Sequence, residues 1–277
     1  MRDWDAQTYE RVSGPQARWA EQVLDRLPLD GDETVLDAGC GTGRVTKMLL
    51  DRLPHGRVVA VDSAPSMVAQ AREALDPAHA DVLQADLAEV VLEESVDAAF
   101  SNAVFHWVPD HEALFARMFE ALRPGGRLVA QCGGEGNVER FLRLAEAVAE
   151  REPYAPYLSG WKRPWNFAAP ERTADRLTAA GFADVQTSLE PWPVTPEEPL
   201  AFVRTVCLGN HLERLPAELR EPYAEAVVHE CGTPPLLDYV RLNISARRPE
   251  VYRGRRAGTT PHRLGRGAGR LTWEDSS

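Results

Sequence analysis

The chain has 277 residues, 44% of them hydrophobic, with 31 basic against 42 acidic side chains and a net charge of −11. That is enough apolar material for a sizeable core, and the acidic balance argues against a general nucleic-acid binder, which needs a basic face. Cys40, Cys132, Cys207 and Cys231 form no C-x-x-C pair, the first residues are too polar and acidic for a signal peptide, and no apolar run reaches the ~18 residues of a membrane span, so a reduced, cytoplasmic protein with no membrane partner is expected.

Along the chain, helical and strand periods alternate. Trp19, Val23, Leu24 and Leu27 share one helical face. TVLDAG (34–39) reads as a buried strand and RVTKMLLDRL (44–53) as a helix. RVVAVD (57–62) is a second strand, and the helix after it starts near Pro65. DVLQAD (81–86) and VDAAFSNAV (96–104) are the third and fourth strands. HEALFARMFEAL (111–122) is a helix closed by a Pro-Gly-Gly turn, before a fifth strand RLVAQCG (127–133). Short connections between alternating strands and helices are the mark of a doubly wound parallel sheet with right-handed crossovers.

Beyond Gly136 the pattern changes. An amphipathic helix (137–152) precedes a stretch dense in proline and aromatics, PYAPYLSGWKRPWNF (153–167). A helix stopped by Gly181 leads to a strand at 184–194, then to two helices at 196–212 and 216–230 and a last strand at 236–248. The late helices are expected to form a lid over a site. Residues 247–277 carry eight arginines against three acids, are rich in glycine and lack apolar periodicity, so the tail is expected to be disordered.

The chemistry concentrates in VLDAGCGTGR (35–44). A dinucleotide fingerprint needs a third glycine where Arg44 stands, and no phosphate-loop G-x-x-x-x-G-K-[ST] occurs. Phosphates favour bare amides and cations, which the Asp37 carboxylate opposes. S-adenosylmethionine, bearing an ammonium and a sulfonium, suits that acid. Gly39, Gly41 and Gly43 would let the backbone approach its aminoacyl part and ribose. Asp62, 19 residues beyond Gly43, ends the second strand, where an acid bonds ribose hydroxyls, and Asp86 ends the third, where it would accept from the adenine amine. Each acid alone could simply cap a helix; three at successive strand ends beside a glycine turn point to a ligand.

These residues, with SNAVFHWV (101–108) and LRPGGRLV (122–129), resemble the class I S-adenosylmethionine-dependent methyltransferases over roughly residues 31–132. WDAQTY, FHWVPD and QCGGEGN are similar to the trans-aconitate methyltransferase group. The resemblance implies a seven-stranded, mostly parallel Rossmann-like sheet with an antiparallel last strand. It divides the chain into an N-terminal segment covering the cofactor (1–30), the cofactor-binding core (31–132), lid helices with the final strands (133–248) and the tail (249–277). It places Ser63 and Met67 beside the ribose, Leu87 with Asp86 at the adenine, and Asn102 and Ala103 beside the methionine part of the cofactor.

His106 and Trp107 follow the fourth strand and should border the transferred methyl. His106, Asp110 and His111 are poorly spaced for a metal, and none is expected. Trp4 and Tyr9 could cover the cofactor, and Trp161 and Trp165 with Lys162 and Arg163 would suit a lid over an anionic, partly apolar substrate. A carboxylate needs no base at neutral pH, and His106 is the one well-placed base candidate, so carboxyl O-methylation of a small acid held by Arg163, with Arg18 or Lys162, is the expected reaction. His106 would then orient the substrate without taking a proton. N-, C- or hydroxyl O-methylation, an NAD-dependent oxidoreductase (opposed by Arg44 and Asp37) and a non-catalytic cofactor-binding protein are the alternatives. Oligomeric state is not legible.

Overall fold

The computed structural model describes residues 14–250. Trp4, Tyr9 and the tail beyond Glu250 lie outside them, as does the side chain of Arg18. Seven strands form one sheet in the order β3-β2-β1-β4-β5-β7-β6. β1 (Thr34–Ala38), β2 (Arg57–Asp62), β3 (Ala80–Gln84), β4 (Val96–Asn102) and β5 (Leu122–Gly133) are parallel. β7 (Val240–Arg247) runs antiparallel between β5 and β6 (Ala183–Pro191). This is the doubly wound, mostly parallel sheet with an antiparallel last strand anticipated from the sequence.

The central strands are apolar on both sides because helices cover both faces. On one face, α1 (Gly14–Leu24), α2 (Arg44–Leu50) and α3 (Pro65–Ala74) contribute Val23, Leu49 and Ala71 to a core with Val35, Val58 and Phe100. On the other, α4 (His111–Ala121) and α7 (Pro170–Ala180) bring Phe115, Met118 and Leu177 against Leu36, Leu128 and Ile244. Successive residues Val35 and Leu36 thus serve opposite cores, as the strand period requires.

A third core lies in the helical additions. α5 (Glu139–Ala149) and α6 (Ala155–Leu158) follow β5; α8 (Pro199–Phe202), α9 (Gly209–Arg214) and α10 (Ala217–Glu230) lie between β6 and β7. Phe141, Phe202, Leu208 and Tyr223 pack there, joined by Trp19 from α1, which ties the cap to the sheet. The single helix anticipated at 196–212 is broken. Val203–Cys207 form a π turn closed by Leu208 N–H donating to Val203 O at 2.8 Å, which separates α8 from α9. The Pro-Gly-Gly turn anticipated after α4 falls inside β5: pairing with β4 shifts register there, and Gly125 takes φ +83°.

Candidate active site

β1 and β4 are neighbours from which the chain winds in opposite directions, so their carboxyl ends open a crevice at a topological switch point. Ser101 Oγ donates to Ala38 O at 2.7 Å across it. The glycine turn fills the end of β1. Gly39 has φ +90°, and a Cβ there would stand 2.2 Å from a Val104 methyl carbon, so only glycine lets the turn meet the segment after β4. A Cβ at Gly41 would meet nothing within 4 Å: the turn faces open space.

Asp62 ties this turn to β2. Its Oδ2 accepts from Gly41 N–H at 3.0 Å and its Oδ1 from Ala64 N–H at 2.9 Å. The Ser63 amide also bonds this carboxylate, which leaves acceptor capacity for a ribose hydroxyl. Asp37 is 1% exposed and accepts from Thr46 Oγ1 at 2.7 Å. Burial, and secondarily the Asp62 carboxylate, push its carboxyl up to about 7 despite the Thr46 bond. A ligand ammonium nearby would draw it back to the anion. Asp86 is exposed and accepts from Ala88 N–H at 2.9 Å, while Met67 and Leu87 are buried side chains. These residues fit S-adenosylmethionine: an acid for the ammonium, an acid for the ribose and a backbone cradle with no side chain in the way.

Beyond the end of β4 lies a cavity of about 540 Å³, mouth included. The sheet supplies its polar side: Ala103 and His106 after β4, Asn137 after β5 and Arg241 from β7. Trp107, Trp165 and Phe167 wall it, with Trp165 stacked on Phe167 at 6.0 Å and Phe167 5.5 Å from His106. The cap supplies Val138, Phe141, Leu142, Val206 and Cys207. Ala103 (φ 62°) and Val138 (φ 48°) are non-glycine residues in the left-handed region, and both line the cavity. Such strain collects where the surroundings over-determine a site.

His106 Nδ1 accepts from Gly133 N–H at 3.2 Å. A backbone amide can only donate, so the neutral ring carries its proton on Nε2. Burial, then the Arg241 and His111 charges, hold its pKa well below the ordinary histidine value. His106 is therefore a neutral donor and not a base at pH 7. Arg241 is 1% exposed, its Nε donates to Gln131 Oε1 at 3.3 Å, and its guanidinium lies 4.4 Å over the Trp19 ring. Gln131 Nε2 donates to Asn243 Oδ1 at 2.7 Å, and Asn243 Nδ2 to Glu190 Oε2 at 3.0 Å, which fixes the arginine across three strands.

The structure brings Asp37, Gly39, Gly41, Gly43, Asp62, Ser63, Asn102 and Ala103 to one crevice, and His106, Trp107 and Trp165 to the cavity beside it. Arg163 goes elsewhere: it bonds Glu146 at 2.7 Å and Glu139 at 3.3 Å. Trp161 packs behind the wall, 4.7 Å from His211 and 6.3 Å from Trp165. His111 faces Phe105 O at 2.9 Å, Asp110 caps α4, and among the described residues no His, Cys, Asp or Glu cluster could hold a metal. All four cysteines are buried free thiols whose pKa burial raises, which leaves none as a nucleophile at neutral pH. Arg241 carried no local signal in the sequence; only the insertion of β7 beside β5 brings it to His106. Asn137 ends the QCGGEGN stretch just after β5, where only the resemblance marks it.

The chain belongs to the class I S-adenosylmethionine-dependent methyltransferases, with S-adenosyl-L-methionine as methyl donor, and residues 35–126 match the model of a methyltransferase domain. Within that class it is similar to the trans-aconitate 2-methyltransferases of Variovorax paradoxus (strain S110) and Azoarcus sp. (strain BH72). It is 34% identical to each, over 80% and 87% of this chain and 86% and 95% of theirs. The solved phosphoethanolamine N-methyltransferase 2 of Haemonchus contortus shares the fold at 19% identity, with a TM-score of 0.59 over 88% of this chain and 56% of that one. Among the described residues no helix is long and apolar enough to cross a membrane.

Proposed function

We propose that this methyltransferase esterifies a carboxylate of a small organic acid, held in the cavity between the sheet and its cap. The observation that carries this reading is Arg241, a guanidinium almost wholly removed from water yet lining the cavity. A desolvated guanidinium recognises a carboxylate through two parallel charge-assisted hydrogen bonds. His106 Nε2–H and the Asn137 amide add neutral donors on the same side. The trans-aconitate 2-methyltransferase names of the relatives support an acid as the acceptor and make trans-aconitate a candidate.

When bound, the cofactor supplies an activated methyl whose transfer to a carboxylate oxygen leaves the C–S electron pair on sulfur and moves no proton. Gly41, Asp62 and Asp37 would hold it. Arg241 would bind and orient the carboxylate, and His106 would donate a hydrogen bond without titrating. Alignment of two reactants is worth several kcal/mol, on the order of 7–11 at best. A site with no general base is thus sufficient for an acceptor already ionised at pH 7. Incubation with methyl-labelled S-adenosylmethionine and a panel of acids, amines and phenols tests this. The label should appear in an acid and be released by mild alkali as methanol. Alkali-stable label on nitrogen, carbon or a phenol oxygen would overturn the reading.

A further inference from the structure

The cavity has two chemically different sides, and only one is built for charge. Among the described residues that line it, Arg241 is the one ionised side chain. The cap side is Val138, Phe141, Leu142 and Val206, with Cys207 Sγ turned to Tyr239 Oη at 3.6 Å. Phe141 and Leu142 are buried, and Cys207 is a neutral thiol because burial pushes its pKa up to about 12. The π turn Val203–Cys207 is what presents Val206 and Cys207 to the cavity together. Trp165 and Phe167 continue the apolar wall.

We infer that the acceptor is a carboxylic acid with one carboxylate and an apolar body: the carboxylate on Arg241, the aliphatic or aryl body against Phe141, Leu142 and Val206. The inference rests on the carboxyl-methylation reading and adds to it the nature of the rest of the molecule. Against these described walls a tricarboxylate would set two further anions on hydrocarbon, with one cation among the described lining residues for three charges, and burying an unpaired anion is costly. An apolar body instead gains from each methylene it buries, about fourfold in affinity per CH₂. The reaction is unchanged: one carboxylate oxygen gains the methyl, the sulfonium loses it, and no proton moves.

The test uses the full chain with S-adenosylhomocysteine bound. Butyrate, hexanoate, octanoate, 4-phenylbutyrate and trans-aconitate are titrated by calorimetry, and the same acids are assayed for alkali-labile methyl transfer. The expected result is affinity rising about tenfold or more at each two-methylene step from butyrate to octanoate, 4-phenylbutyrate at least tenfold tighter than trans-aconitate, and kcat/KM in the same order. Val206→Lys, at a part-exposed position whose lysine can reach water, should weaken octanoate at least tenfold while homocysteine-cofactor affinity and melting temperature stay within error. Should that variant unfold, the chain-length series in the unaltered protein decides alone. Trans-aconitate preferred, with no gain along the series, overturns this inference and leaves carboxyl methylation standing. All acids inert, with label on another atom type, overturns both.

Discussion

At the scale of single residues, the two acids proposed to hold the cofactor differ in their surroundings. Asp62 is a carboxylate whose oxygens already accept from the Gly41, Ser63 and Ala64 amides, which sets its direction into the crevice. Asp62→Ala should weaken S-adenosylhomocysteine by about 1–3 kcal/mol, the scale of a hydrogen bond to a charged group. Calorimetry reads this directly, and an unchanged affinity would remove Asp62 from the ribose site. Asp37 differs because burial raises it to about 7. In the free protein burial favours its protonated form; a bound ammonium favours the anion, so proton and ligand compete. Affinity for S-adenosylhomocysteine should therefore fall as pH drops below 7, approaching tenfold per unit, and Asp37→Asn should flatten that profile. A wild-type profile flat from pH 5 to 8 would place the ammonium elsewhere. The position of both acids was legible from the sequence because a strand, a turn and a helix are local: Asp62 is the last residue of β2 and Asp37 the last but one of β1.

At the scale of elements, the polar side of the cavity depends on how α5 and β7 meet. Asp238, just before β7, caps α5: its Oδ2 accepts from Arg140 N–H at 2.8 Å and its Oδ1 from Phe141 N–H at 3.3 Å. Val138 N–H donates to Asp238 O at 2.9 Å, which holds that valine in its strained conformation at the cavity wall. Asp238→Ala should cost roughly 1 kcal/mol of stability, as loss of an N-cap does. It should raise KM for the acid while leaving cofactor affinity unchanged; equal losses in both would mean that α5 supports the cofactor crevice as well. None of this was visible in the linear pattern. Arg241 alternates in its strand like any other residue, and its meaning comes from a partner 110 positions away, Gln131. Arg163 attracted notice through its tryptophan neighbours. Yet Glu139 and Glu146, two turns apart on α5, present a pair of carboxylates to it that no local pattern links to that loop. The broken helix at 199–214 was missed for a related reason: its apolar period continues through the π turn, and only tertiary packing widens it.

At the scale of the whole molecule, two doubly covered sheet faces carry the fold, and a third core carries the cap. The cap holds a buried histidine, His211, 2% exposed among Trp161, Trp165 and Tyr223. Burial, then the Arg163 charge, lower it to about 3. Its folded pKa lies below its unfolded value of about 6.5, so the unfolded chain binds the extra proton and stability falls as pH drops from 6.5 toward 3. The slope for this one group is at most about 1.4 kcal/mol per pH unit. His106 and His111 act in the same direction, and Asp37, whose folded pKa is raised, opposes them between 3.8 and about 7. Chemical denaturation of the cofactor-free protein should show declining stability from pH 6.5 to 4.5, with a shallower decline in His211→Phe. An identical slope in that variant would show that the cap does not govern acid stability.

Arg241 is the proposed anchor of the acceptor's carboxylate, and everything said of the acceptor depends on it. The most direct measurement compares wild type with Arg241→Gln, which keeps a donor toward Gln131 but not the charge. In each, S-adenosylhomocysteine is bound first, and then an acid that the enzyme methylates is titrated by calorimetry. Cofactor affinity should stay within twofold of wild type and acid affinity should be at least tenfold weaker. Acid affinity unchanged in a folded, cofactor-binding Arg241→Gln protein would contradict the anchoring role.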